Sequence, residues 1–191
     1  MPAELTATAS ALLGLLAFDA QTSEEGLTGY ELKQRADRTL RFYWVSPATS
    51  QIYTELERLE AAGLVASQDT SEGRRPARRF RITPDGRTSL QEWLERPDPE
   101  QFPALKHPVA LRLLMGALTS PERLDDLLAD YLERLDERAE ELGAVRAMLA
   151  DRTEVRYPAR VAEWGLAYYA SEREIVERLR TEIAAERDAS D

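Results

Sequence analysis

Apolar and polar positions divide this chain into a first half of short mixed elements and a second half of long amphipathic helices. From Thr6 to Phe18, the leucines at 12, 13, 15 and 16 leave few polar positions on any side, which predicts a buried helix. The stretch from Ala20 to Gly26 is polar and reads as a loop. Thr28 followed by Glu31 forms a capping-box pattern, so a second helix should run from Thr28 to about Leu40, with Tyr30 and Leu32 adding apolar surface. Phe42 to Val45 is an apolar connector. Ser46 as N-cap and Pro47 at the first helical position predict a third helix, with Ala48, Ile52, Leu56 and Leu59 facing the core and Gly63 closing it in the left-handed conformation. Leu64–Gln68 and Arg78–Ile82 read as strands around a Gly- and Pro-containing turn. Phe80 and Ile82 share one strand face, which turns Arg79 and Arg81 to the other. Thr83 then caps a fourth helix from Pro84 to about Leu94.

Three prolines between Arg96 and Pro103 interrupt any helix there and mark a boundary. Residues 1–96 form one expected domain, 97–103 a linker, 104–187 a helical domain and 188–191 a polar tail. Pro108 to Thr119 is apolar on one face. Ser120-Pro121-Glu122 is a strong start signal for a helix reaching about Asp151, and a last helix begins near Pro158. Leu128, Tyr131, Leu135 and Leu142 recur at helical spacing on the first of these, and Ile175, Leu179 and Ile183 on the second. Helices of roughly 25–30 residues exceed the usual length of about 11–12 and are too long for a small head to cover. Their stripes are therefore expected to form the interface of a homodimer.

Charge changes the picture. The net charge is −10, yet residues 1–96 hold 12 basic and 14 acidic residues while residues 97–191 hold 13 and 21. Within 73–87, six arginines face a single aspartate. An acidic protein repels DNA at long range, but within a Debye length of about 10 Å the local potential decides contact. The absence of cysteine excludes a disulfide framework and a thiolate zinc site. No apolar run approaches the roughly 18 residues of a membrane span, and the leucine-rich start lacks the basic flank of a signal peptide. The expected location is cytoplasmic.

The third helix and the arginine-rich hairpin carry the candidate chemistry. Opposite its apolar face the helix holds Thr49, Ser50, Gln51, Tyr53, Thr54 and Arg58. These are short or hydrogen-bonding side chains gathered near its amino end, where a recognition helix meets base edges and phosphate. Taken alone they suit an ordinary solvated face equally well; the neighbouring Arg74, Arg75, Arg78 and Arg79, placed on a wing, favour double-stranded DNA. Ser46 belongs to the same candidate surface. Enzyme chemistry finds no support: His107 is the lone histidine, and there is no nucleophile set, phosphate loop, metal-ligand cluster or cofactor motif.

The order LLGLLA, GYELKQR, SPATSQIYTELERLEAAGLV and a basic wing ending in RRFRITPDGR resembles the PadR family of bacterial transcriptional regulators. The helical remainder is similar to the C-terminal domain of the longer PadR branch. That resemblance implies a homodimeric regulator, usually a repressor, that binds an inverted repeat with Tyr53 and the early residues of the third helix at the DNA. It also implies a small aromatic effector, for which Trp93, Trp164 and Tyr168 are candidate pocket residues; their spacing favours core or interface. Phe80 stands where relatives usually carry tyrosine, and the Thr22–Gly26 segment is somewhat long. The expected fold is mainly α with a small β-hairpin: a winged helix-turn-helix followed by an α-helical dimerisation domain. A winged-helix module for protein–protein interaction is the alternative, and the arginine wing argues against it.

Overall fold

In the computed structural model the described residues are 5–42, 46–70, 77–96, 107–150 and 152–188. The chain divides into two compact units, Met1–Gln101 and Phe102–Asp191. The first contains helix α1 (Ala7–Asp19), strand β1 (Leu27–Thr28), helices α2 (Gly29–Thr39) and α3 (Thr49–Ala61), strands β2 (Val65–Thr70) and β3 (Ala77–Ile82), and helix α4 (Pro84–Glu95). The second contains α5 (Pro108–Leu114), α6 (Pro121–Met148) and α7 (Arg156–Asp188), with single 3-10 turns after α5 and before α7.

Local chemistry sets most helix starts. The hydroxyls of Thr6, Thr83 and Ser120 each accept the backbone N–H three residues on. Thr28 and Glu31 close a full capping box at α2. At the end of α3, Gly63 adopts φ 73° and its N–H reaches Glu60, while the Leu64 N–H reaches Leu59. This is a Schellman closure, which turns the chain directly into β2.

The sheet has three strands in the order β1-β3-β2, all antiparallel, where the sequence pattern indicates only a hairpin. The extra strand is two residues long: Leu27 pairs with Phe80 and Thr28 with Arg79. In the hairpin, Val65 pairs with Ile82 and Ser67 with Phe80. Phe80 and Ile82 are buried as their shared face requires, against Leu12, Leu16, Leu32, Ile52 and Leu56. Fully burying each of these side chains is worth about 1.5–3 kcal/mol, and the common core orients α3 against the sheet.

Several expectations are corrected. Helix α3 begins at Thr49, not at Pro47; its N-cap is Ala48, which is exposed, and Pro47 is buried instead. Ser46 does not cap: its hydroxyl donates 2.6 Å to Asp37 on α2 and accepts from Lys33 at 3.2 Å. The apolar stretch after Pro108 is one short helix and a turn, with Leu111, Leu114, Met115 and Leu118 exposed. The expected linker at 97–103 and the wing tip with Arg74 and Arg75 lie outside the described residues.

Helices α6 and α7 form an antiparallel hairpin. Asp125 meets Arg180, Asp136 meets Arg173 and Glu163 meets Arg146 along its length. Its core takes Leu128, Leu132, Leu135 and Val176, with Tyr131, Leu179 and Ile183 packed against them; Leu142 is buried further along. Most of the stripe assigned to a dimer interface is thus covered within one chain. Ile175 alone of those seven residues remains exposed, at 42%.

Candidate nucleic-acid interface

Ile52, Leu56 and Leu59 hold α3 against the core, so its opposite side is turned outward. Thr49, Ser50, Gln51, Tyr53, Thr54 and Arg58 are all exposed there. The structure brings these six together as one polar face. Gln51 also supports the helix end, because its Oε1 accepts the Ala48 N–H at 2.9 Å, the reach-back half of a capping box. The residue is exposed, and an amide NH₂ can donate two further bonds. Arg58 pairs with Glu55 at 3.1 Å, so its charge is locally compensated.

Tyr53 lies flat on the backbone at the start of α2. A Cβ added at Gly29 would come within 2.5 Å of its ring carbon Cζ and 2.8 Å of its hydroxyl. Tyr30, the next residue, is 64% exposed, and its hydroxyl accepts from Gln34 at 2.9 Å. Sequence reasoning treats Tyr30 only as apolar surface, whereas its ring is exposed and its hydroxyl is hydrogen-bonded. A signal exists, since a capped helix that buries Leu32 turns its second residue outward.

The described wing arginines are less free than the sequence suggests. Arg78 pairs with Glu60 at 2.6 Å and with the Ser67 hydroxyl at 2.8 Å, and its guanidinium lies 5.4 Å over the Phe80 ring. Arg79 donates to the Gly26 carbonyl oxygen at 2.7 Å and approaches Glu31 at 3.4 Å. Burial of Glu31 works against its charge. The N–H and hydroxyl of Thr28, then Arg79 and Arg35, outweigh it and hold the carboxyl below its ordinary range. Arg79 therefore serves the fold by tying β3 to the entry of α2.

Trp93 and Tyr168 are about half exposed and Trp164 is 72% exposed, the first on α4 and the other two on α7. Within their own units none of them is enclosed. A cavity of about 590 Å³ in the second unit is lined instead by Asp125, Leu132, Arg173, Glu177, Arg180 and Ile183, among others. His107 caps α5: its Nδ1 accepts the Ala110 N–H, which leaves the ring proton on Nε2, 2.7 Å from Glu172 and 3.0 Å from the Tyr131 hydroxyl. That set is a closed structural network. No described helix is long and apolar enough to cross a membrane.

A sequence profile described as the transcriptional regulator PadR-like family matches residues 20–92, the span from the loop before β1 to the end of α4. That segment is a PadR-like domain. Among characterised proteins, the negative transcriptional regulator PadR of Bacillus subtilis (strain 168) is 28% identical over 144 residues, covering 73% of this chain and 74% of that protein. The fold extends the likeness further. The crystal structure of Bacillus subtilis PadR in complex with operator DNA matches with a TM-score of 0.79 at 23% identity, over 93% of this chain and 99% of that one. A PadR-like transcriptional regulator from Bacillus cereus matches with a TM-score of 0.75 at 18% identity, over 93% and 98%. Bacillus subtilis PadR in complex with p-coumaric acid matches at 0.71 and 23%, over 92% and 98%. The fold is thus a winged helix followed by helices, shared with PadR-like transcriptional regulators over 93% of the chain.

Proposed function

We propose that this PadR-like regulator represses transcription as a homodimer bound to an inverted repeat, with α3 reading bases and the wing holding phosphate. The observation that carries this is the outward face of α3, where Thr49, Ser50, Gln51, Tyr53 and Thr54 are exposed together and Tyr53 is seated against Gly29 of α2. Short hydroxyls and one amide suit base edges, and a tyrosine hydroxyl suits phosphate. Two-fold pairing sets the two copies of α3 roughly 34–36 Å apart, one turn of DNA, or a multiple of that. With Leu128, Leu135 and Leu142 already buried, the partner's surface falls to the apolar residues left exposed: Leu111 and Leu114 on α5, Trp164, Tyr168 and Ile175 on α7.

Release by a small aromatic effector is part of the same proposal. It rests on the relative solved with p-coumaric acid and on exposed aromatics that dimerisation would enclose. The deciding experiment is footprinting of the full-length protein on DNA flanking its own gene, with analytical ultracentrifugation alongside. A dimer protecting two symmetric half-sites is expected. A monomer at micromolar concentration that binds an inverted repeat tightly would overturn the dimer. A footprint that phenolic acids leave unchanged would keep repression and remove the effector.

A further inference from the structure

The turn joining α6 to α7 carries a cluster of arginines outside the α3 face and the wing. Arg146 near the end of α6, Arg152 in the turn, and Arg156 and Arg160 at the start of α7 line one cavity of about 350 Å³, together with Thr153 and Glu163. That volume lies at the small end of ligand sites, which begin at about 300 Å³. Two of the four charges are answered: Arg146 pairs with Glu163 at 2.6 Å and Arg152 with Glu154 at 2.9 Å. Arg156 and Arg160 have no carboxylate within ion-pair distance among the described residues. Arg156 donates 3.3 Å to the Tyr157 hydroxyl, and the two guanidiniums lie 4.7 and 5.9 Å from the centre of the Tyr157 ring.

A ring quadrupole offers an exposed cation only about 0.5–1 kcal/mol, so both forks keep most of their capacity to bind an oxyanion. The positive field is felt locally: the hydrogen bond from Arg156, then the charges of Arg156 and Arg160, lower the Tyr157 phenol below its ordinary pKa. The surroundings sharpen the contrast, since residues 97–191 carry 13 basic and 21 acidic residues. Arg156 and Arg160, which meet no carboxylate among the described residues, repel one another there until an anion is bound. Glu163 already lines the site, so a single negative charge competes poorly there. A ligand with several charges, able to span Arg146 on α6 and Arg156 and Arg160 on α7, does not have that weakness.

We infer that this cavity binds a small molecule carrying two or more phosphoryl or carboxylate groups, held by the bidentate forks of Arg156 and Arg160. The inference is independent of DNA recognition and of the aromatic effector. Isothermal titration calorimetry on the full-length protein at low salt tests it, with pyrophosphate and citrate as probes and orthophosphate as the single-group comparison. Saturable binding of one pyrophosphate or citrate per chain is expected, at least about ten-fold tighter than orthophosphate. Whichever of the two binds tighter assigns phosphoryl or carboxylate chemistry. R156Q/R160Q should lose at least about ten-fold in affinity while DNA binding stays unchanged. Glu163→Gln removes the competing carboxylate and should tighten binding, which provides a readout of opposite sign. No saturable binding of either probe overturns the site. So does equal affinity in R156Q/R160Q, which moves the binding to other arginines, or a parallel loss of DNA affinity, which makes the cluster a DNA contact.

Discussion

The Arg79 guanidinium donates a 2.7 Å hydrogen bond to the carbonyl oxygen of Gly26 and lies beside Glu31 of the α2 capping box. Strand β3, the loop before α2 and the first turn of α2 are joined at this one side chain. Arg79→Ala should therefore lower the stability of the first unit by about 1–3 kcal/mol, since a charged hydrogen bond is removed and a carbonyl is stranded. The salt dependence of DNA binding should scarcely change. Arg74→Ala and Arg75→Ala should do the reverse, flattening the log–log salt slope by about 0.9 for each phosphate that is no longer neutralised. Urea melts and binding isotherms across a salt series measure both quantities. A slope that falls with Arg79 would return this residue to the DNA.

Gly29→Ala tests the seat of Tyr53. Alanine at an ordinary helical position is favourable by roughly 1 kcal/mol over glycine. Here the new methyl meets the Tyr53 ring at 2.5 Å, so overpacking of about 1–3 kcal/mol outweighs that gain. Gly29→Ala should destabilise the protein and weaken operator binding together. Adding Tyr53→Ala should recover the stability and leave the binding weak. Thermal melts of the three variants decide it.

Ala48→Ser should be stabilising. Residue 48 holds the extended N-cap geometry, φ −63° and ψ 153°, yet offers no side-chain acceptor. A serine there supplies one, worth typically about 1 kcal/mol. An unchanged urea midpoint would show that water serves the N–H groups of the first turn as well as a serine hydroxyl does.

Tyr131 sets an alkaline limit. Burial first, then the negative charge of Glu172, raises its phenol well above the ordinary value. The folded state thus holds this proton more tightly than the unfolded chain does. Stability from this source is complete below the unfolded value of about 10 and is lost as pH rises above it. Tyr131→Phe should shift the alkaline unfolding midpoint upward, followed by circular dichroism. A midpoint that stays or falls would count against this account.

Legibility in the sequence follows the range of the interaction. The caps at Thr28, Thr83 and Ser120 and the closure at Gly63 are readable, because each is decided within a few residues. Strand β1 is not: Leu27 and Thr28 have no periodicity of their own and become a strand only by meeting Phe80 and Arg79. Ser46-Pro47 carries a good local start signal that loses to a distant partner, Asp37. The stripe of Leu128, Leu135 and Leu142 is apolar as its spacing says, but periodicity does not say which helix will cover it, and α7 of the same chain does. For the candidate interface, the polar face of α3 is readable from the apolar spacing of Ile52, Leu56 and Leu59. The pairing of Arg78 with Glu60 is not, since only the folded hairpin brings them within 2.6 Å.

The helix-end bond of Gln51, beside the base contact proposed for it, bears on how such a regulator can change its target. Any replacement there other than glutamate also removes the acceptor for the Ala48 N–H, so a new preference arrives with a weakened helix end. Ser50 and Thr54 carry no such obligation on the same face. Divergence toward a new operator is therefore easiest at those two positions, and at position 51 only after a capping residue has been installed at 48.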